Sequence, residues 1–91
     1  MRFTWDENKN KANVKKHGIA FDYAVNVFDD EFYLELYDEY HDEVEERYQV
    51  IGMVDDILTV VVTYRNNDEV RIISARKATK KERMMYYDDR F

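Results

Sequence analysis

The sequence predicts one small α+β domain, a sheet packed with N-terminal and C-terminal helices, and three observations carry that expectation. A polar stretch at 7–16 ends in His17-Gly18-Ile19, the pattern of a helix closed by glycine. The run ILTVVVTYR at 57–65 is dense in β-branched residues and reads as a central strand. Near the end, Thr79-Lys80-Lys81-Glu82 forms a capping box, in which each terminal side chain satisfies the other's backbone N–H. With no proline and two glycines in 91 residues, the chain has little room for a linker, so residues 1–91 form a single domain.

The elements follow in order. Phe3 and Trp5 alternate with Arg2 and Thr4, as in a short first strand. Asp6 is placed to cap the first helix, whose only apolar residues up to position 16 are Ala12 and Val14, so it covers a core edge rather than entering the core. A second, short helix is expected from Asp22 or Tyr23 to Phe28, turning Ala24, Val25 and Phe28 inward. An antiparallel sheet comes next. Phe32, Leu34 and Leu36 alternate with Glu31, Tyr33 and Glu35, an acidic connection spans 38–46, and a strand at about 47–53 leads through Val54-Asp55-Asp56 into the central run. Asn66-Asn67-Asp68 is a turn and Val70 to Ala75 the last strand. The closing helix presents Met84, Tyr87 and Phe91 along one stripe. The order is β-α-α-β-β-β-β-α.

Composition narrows the function. Without cysteine there are no disulfides, no thiolate nucleophile and no sulfur-ligated zinc. No apolar run approaches the roughly 20 residues that cross a bilayer, and the N-terminal residues lack the apolar core of a signal peptide, so the cytoplasm is the expected location. The net charge of −6 is unevenly spread. Residues 1–28 carry five bases and three acids, residues 29–56 twelve acids and only Arg47, and residues 57–91 eight bases and five acids. The acids at 29–31 and 38–43 are hard metal ligands in principle, but a solvated acidic face accounts for them equally, and no metal or other cofactor is expected. Ser74 lacks the elbow glycines of a serine hydrolase.

The arginines are better placed for chemistry. Arg47 starts one strand and Arg65 ends the next. Strict alternation in RIISAR puts Arg71, Ile73 and Ala75 on one face and Ile72, Ser74 and Arg76 on the other. Arg76 then lies near Lys77, Lys80, Lys81 and Arg83, at a helix start that favours anions. Guanidinium forks suit phosphate oxygens, while Arg65 and Arg76 also suit salt bridges to the acidic middle and Arg71 reads as structural. His41 pairs naturally with neighbouring carboxylates, and His17 can cap the first helix. Tyr48, Tyr64, Tyr86 and Tyr87 are candidates for stacking on bases.

These residues carry a family pattern. Phe3, Trp5-Asp6, Lys9, Asn13, Lys16-His17-Gly18-Ile19, Phe21, Ala24, Val27-Phe28 and Asp30 form a first block that resembles the BrnT family. Asp38, His41, Glu45-Glu46-Arg47-Tyr48 and Ile51-Gly52 resemble its second block, with Asp42 where the family usually has serine. Tyr64-Arg65, Arg71 through Thr79, Glu82-Arg83 and Tyr86 resemble its third. The resemblance implies a RelE-like fold and a metal-independent endoribonuclease that arrests growth. It also implies a BrnA-like antitoxin with a DNA-binding domain, through which alone the complex reaches operator DNA. For attack by the RNA 2′-hydroxyl on phosphorus, Arg65 and Arg76 fit as phosphate clamps, with Arg47 next, and Lys9, His17, Glu45 and His41 as proton-transfer groups. The alternative is a non-catalytic protein- or nucleic-acid-binding module within a regulatory complex.

Overall fold

A computed structural model describes residues 1–38, 45–66 and 68–88, so His41, Asn67 and Phe91 lie outside the described residues. The elements are β1 (Arg2–Thr4), α1 (Glu7–His17), α2 (Phe21–Ala24), a 3₁₀ turn (Val25–Asp29), β2 (Leu34–Asp38), β3 (Arg47–Val54), β4 (Asp56–Arg65), β5 (Glu69–Lys77) and α3 (Lys80–Asp88). One sheet holds all five strands in the order β1-β5-β4-β3-β2. Strands β2 to β5 form an antiparallel meander, as the sequence predicts, but β1 lies parallel to β5. The single parallel pair arises because α1 carries the chain away from β1 across the sheet, and the meander returns to it last.

Local chemistry fixes the N-terminal helices. The Asp6 carboxylate accepts from the N–H groups of Asn8 at 2.8 Å and Lys9 at 3.2 Å. Gly18 ends α1 at φ 71°, a left-handed conformation that costs glycine nothing, and its N–H returns to Val14 O. The second helix starts a little earlier than the sequence suggests. It buries Phe21 and Ala24, and the 3₁₀ turn buries Val27. Gly52 of β3 lets that turn approach, because a Cβ there would stand 3.0 Å from both Val27 Cβ and Val27 O.

These helices cover one sheet face, where Val50, Val60, Val62 and Ile72 are almost fully buried. Burying each such side chain contributes about 1.5–3 kcal/mol relative to leaving it exposed. A smaller cluster of Ile51, Ile57 and Tyr86 sits on the opposite face, under α3. The expected α3 stripe is corrected here. Met84 and Tyr87 are exposed, and the helix faces inward through Tyr86, whose hydroxyl donates to Asp30.

The first helix docks in an unexpected way. Ala12 and Val14, its apolar residues, face solvent, and the residue it buries is Asn13. The Asn13 amide nitrogen donates to the carbonyls of Ile19 and Ala75, both at 2.8 Å, and its oxygen accepts from Ala75 N–H at 3.1 Å. A side chain thereby continues the ladder on the outer edge of β5, beyond the reach of β1.

Asn13→Leu keeps the volume but leaves the Ala75 N–H and C=O without partners. An unsatisfied buried polar group costs about 1–3 kcal/mol, so the expected loss is about 2–4 kcal/mol, measured by urea unfolding. A loss below about 1 kcal/mol would show that water replaces the amide.

Candidate functional site

The sheet face beneath α3 is only partly covered. From β3, Arg47 and Gln49 lie on it, as the pairing of inward-facing Tyr48 with buried Val62 requires. From β4 come Thr59, Val61 and Thr63, and the register with β5 sets Thr59 opposite Arg76, Val61 opposite Ser74 and Thr63 opposite Arg71.

That register corrects the expectation that Arg71 and Arg76 lie on opposite faces. Val62 pairs with Ile72 and Val61 with Ser74, so Ile73 is an extra residue, a β-bulge. A bulge shifts the side-chain parity of everything beyond it. Arg71, Ser74 and Arg76 consequently share the open face, while Val70, Ile72 and Ala75 all enter the core. The doublet Ile72-Ile73, which breaks the alternation of the strand, is the sequence signal for it.

The arginines differ in what holds them. Arg76 grips Glu82 with both guanidinium nitrogens, at 2.6 and 2.9 Å. The same carboxylate accepts from Thr59 Oγ1 and from Thr79 N–H, so the capping box of α3 is also the anchor of Arg76. Arg76 and these hydrogen bonds, working against partial burial, hold the Glu82 carboxyl down at about 2. Arg65 pairs with Glu45 at 3.3 Å, which brings two of the expected site residues together. Arg2 pairs with Glu69 and Arg83 with Asp56.

Arg47 stands opposite the buried Asp38 of β2 in the register, but neither it nor Arg71 makes an ion pair among the described residues. Arg71 lies opposite the buried Thr63, and continuing the register one residue past the Tyr48–Val62 pair sets Arg47 on the other side of Thr63, two strand spacings or about 10 Å from Arg71. The Nε of Arg47 is buried without a hydrogen-bond partner among the described residues. Such a donor is costly to leave unmet. Sequence reasoning passed over Arg71 because alternation without the bulge sent it to the other side.

Lys9 and His17 meet elsewhere, at the rim of this face. With Lys16 of α1 and Ile73 and Ser74 of β5 they line a cavity of about 220 Å³ at the sheet edge, between the end of β1 and the Asn13 contact. Ser74 belongs to both places, since its position in the register is on the open face. The structure thus gathers Lys9 with His17, and Arg47 with Arg71, and sets Arg65 with Glu45 and Arg76 with Glu82 at opposite ends of the face. Of the tyrosines proposed for stacking, Tyr86 is buried in the packing under α3.

A family model described as the ribonuclease toxin BrnT of type II toxin–antitoxin systems matches residues 5–82. The crystal structure of the Brucella abortus ribonuclease toxin BrnT has the same fold, with a TM-score of 0.60 at 22% identity, covering 88% of this chain and 99% of that one. No curated protein matches the sequence.

The anchored carboxylate predicts a pH dependence. A Glu82 pKa near 2 in the folded protein, against 4.5 ordinarily, makes the ion pair a source of stability that is complete above pH 4.5 and is lost as pH falls toward 2. In Glu82→Gln, thermal melts between these limits should fall less steeply with pH than in the wild type, from a lower plateau at neutral pH. Parallel acid limbs in the two proteins would contradict the anchor.

Proposed function

Because the chain belongs to the BrnT family, the ribonuclease toxins of type II toxin–antitoxin systems, we propose that it cuts RNA without a metal ion at the open face, with Arg47 and Arg71 holding the scissile phosphate. The observation that carries this reading is that these two arginines flank Thr63 without an ion pair among the described residues, one of them with a buried N–H that none of those residues meets. Arginine forks donate paired hydrogen bonds to phosphate oxygens and remain charged at any working pH. Arg65 and Arg76 stand at the ends of the same face and join a phosphate only by exchanging Glu45 and Glu82 for it.

In the proposed reaction the RNA 2′-hydroxyl attacks the adjacent phosphorus and its proton passes to a base. The phosphorane carries extra negative charge, which preorganised guanidinium groups stabilise. The leaving 5′-oxygen then takes a proton, giving a 2′,3′-cyclic phosphate and a 5′-hydroxyl. Imidazole, amine and carboxylate groups are suited to such transfers. His17 and Lys9, sharing the rim cavity beside Ser74, are our first choice for the pair, and Glu45 is the second candidate base. The expected role of His41 falls outside the described residues.

The same reading includes cytoplasmic action, growth arrest and neutralisation by a BrnA-like antitoxin that lays an acidic element across the arginines and carries the complex to operator DNA. Competition with phosphate for Arg47 and Arg71 is a sufficient physical means of inhibition.

Purified chain incubated with single-stranded RNA in EDTA should yield cyclic-phosphate ends. Arg47→Ala and Arg71→Ala should each lower the single-turnover rate about a hundred- to a thousand-fold, with melting temperatures close to the wild type. Cleavage that returns only with added magnesium would overturn the metal-independent reading. Rates within about threefold of wild type, well short of the loss expected for one such donor, would remove these arginines from the site.

A further inference from the structure

We propose that the outer edge of β2 is a docking site for an extended segment of a partner protein that alternates apolar and cationic residues. The proposal rests on the geometry of this edge and not on the RNA reading. Strand β2 ends the sheet, and no strand among the described residues lies beyond it. An open edge offers a row of backbone groups to an added strand.

A groove of about 620 Å³ runs along this edge, far larger than the cavity beside Lys9. Its lining joins Leu34, Glu35 and Leu36 of β2 to Met85 and Asp88 of α3. Leu34 and Leu36 lie on the α3 face of the strand, and Glu35, opposite Val50, lies on the other. An added strand presents its side chains to the two faces in turn. One set therefore meets leucine and methionine, and the other meets Glu35.

Charge selects what the second set carries. Residues 29–56 hold twelve acids and one base. Beside Glu35, on the same face, the Tyr48 and Tyr64 rings stand 5.2 Å apart, and Glu46 accepts from the Tyr48 hydroxyl. The Tyr64 phenol is pushed well above its ordinary range by burial and by Glu35. Aromatic faces bordered by carboxylates attract ammonium and guanidinium groups. The same charges repel a phosphodiester backbone.

The test uses the whole chain and a blocked peptide of about nine residues alternating lysine and valine, long enough to span β2. A glutamate–valine counterpart and a single-stranded RNA serve as comparison probes. Calorimetry should register binding of the lysine peptide alone, and hydrogen exchange should slow at the amides of residues 34–36. Glu35→Lys should weaken binding about tenfold, equivalent to about 1.4 kcal/mol, and Glu35→Gln, which keeps the shape of the side chain, should weaken it by a smaller factor. Equal binding of the acidic peptide, protection of this edge by RNA, or no protection at β2 would each overturn the proposal.

Discussion

The contact between Asn13 and the backbone of Ala75 is the joint on which the rest of the structure turns. The outer edge of β5 is shared along its length: β1 occupies it at residues 69–71 and the Asn13 amide at 75. Between the two lies the bulge at Ile73. The third hydrogen bond of Asn13, to Ile19, holds the chain as it leaves α1, and Asn10 accepts from Phe21 N–H just beyond. One polar helix face thereby fixes α1, the start of α2 and the parity of the last strand. An apolar contact would hold the helix as firmly but would not specify its register against a strand edge, because hydrophobic attraction has no direction.

Two groupings of side chains follow from that joint. With α1 pinned at Ala75, Lys9 and His17 come to rest beside Ser74 at the edge of the sheet. With the bulge in place, Arg71 crosses to the face that holds Arg47. The meander places Glu35 and Asp38 at the opposite edge, on β2, away from Arg71 and Arg76 of β5. Arg47, the one base among residues 29–56, is the exception that β3 delivers to the arginine row. Fields of this kind raise the rate at which a polyanion meets the correct side of a small protein.

What the sequence reveals is what short-range chemistry decides. The Asp6 cap, the Gly18 terminus, the Thr79–Glu82 box and the meander strands are legible because each depends on residues within a few positions of one another. The parallel placement of β1 depends instead on where the chain returns 67 residues later. Asn13 reads as one more polar residue on a solvated helix until Ala75 is beside it. Glu82 is recognisable as a cap, yet its second task, holding Arg76, requires the turn between β5 and α3 to fold back. For the candidate site, the sequence offers the residue types, and the fold decides which of them meet. The pairing of Arg65 with Glu45 and the meeting of Arg47 and Arg71 on one face both depend on strand register.

The central claim is that Arg47 and Arg71 act together on one phosphate, and a double-mutant cycle on single-turnover RNA cleavage tests it most directly. Groups that serve one transition state are strongly non-additive. Arg47→Ala in the Arg71→Ala background should therefore cost much less than in the wild type, by at least about 1 kcal/mol in coupling energy. Losses that simply add, to within about 0.5 kcal/mol, would mean that the two arginines work independently and that their meeting across Thr63 has no part in the chemistry.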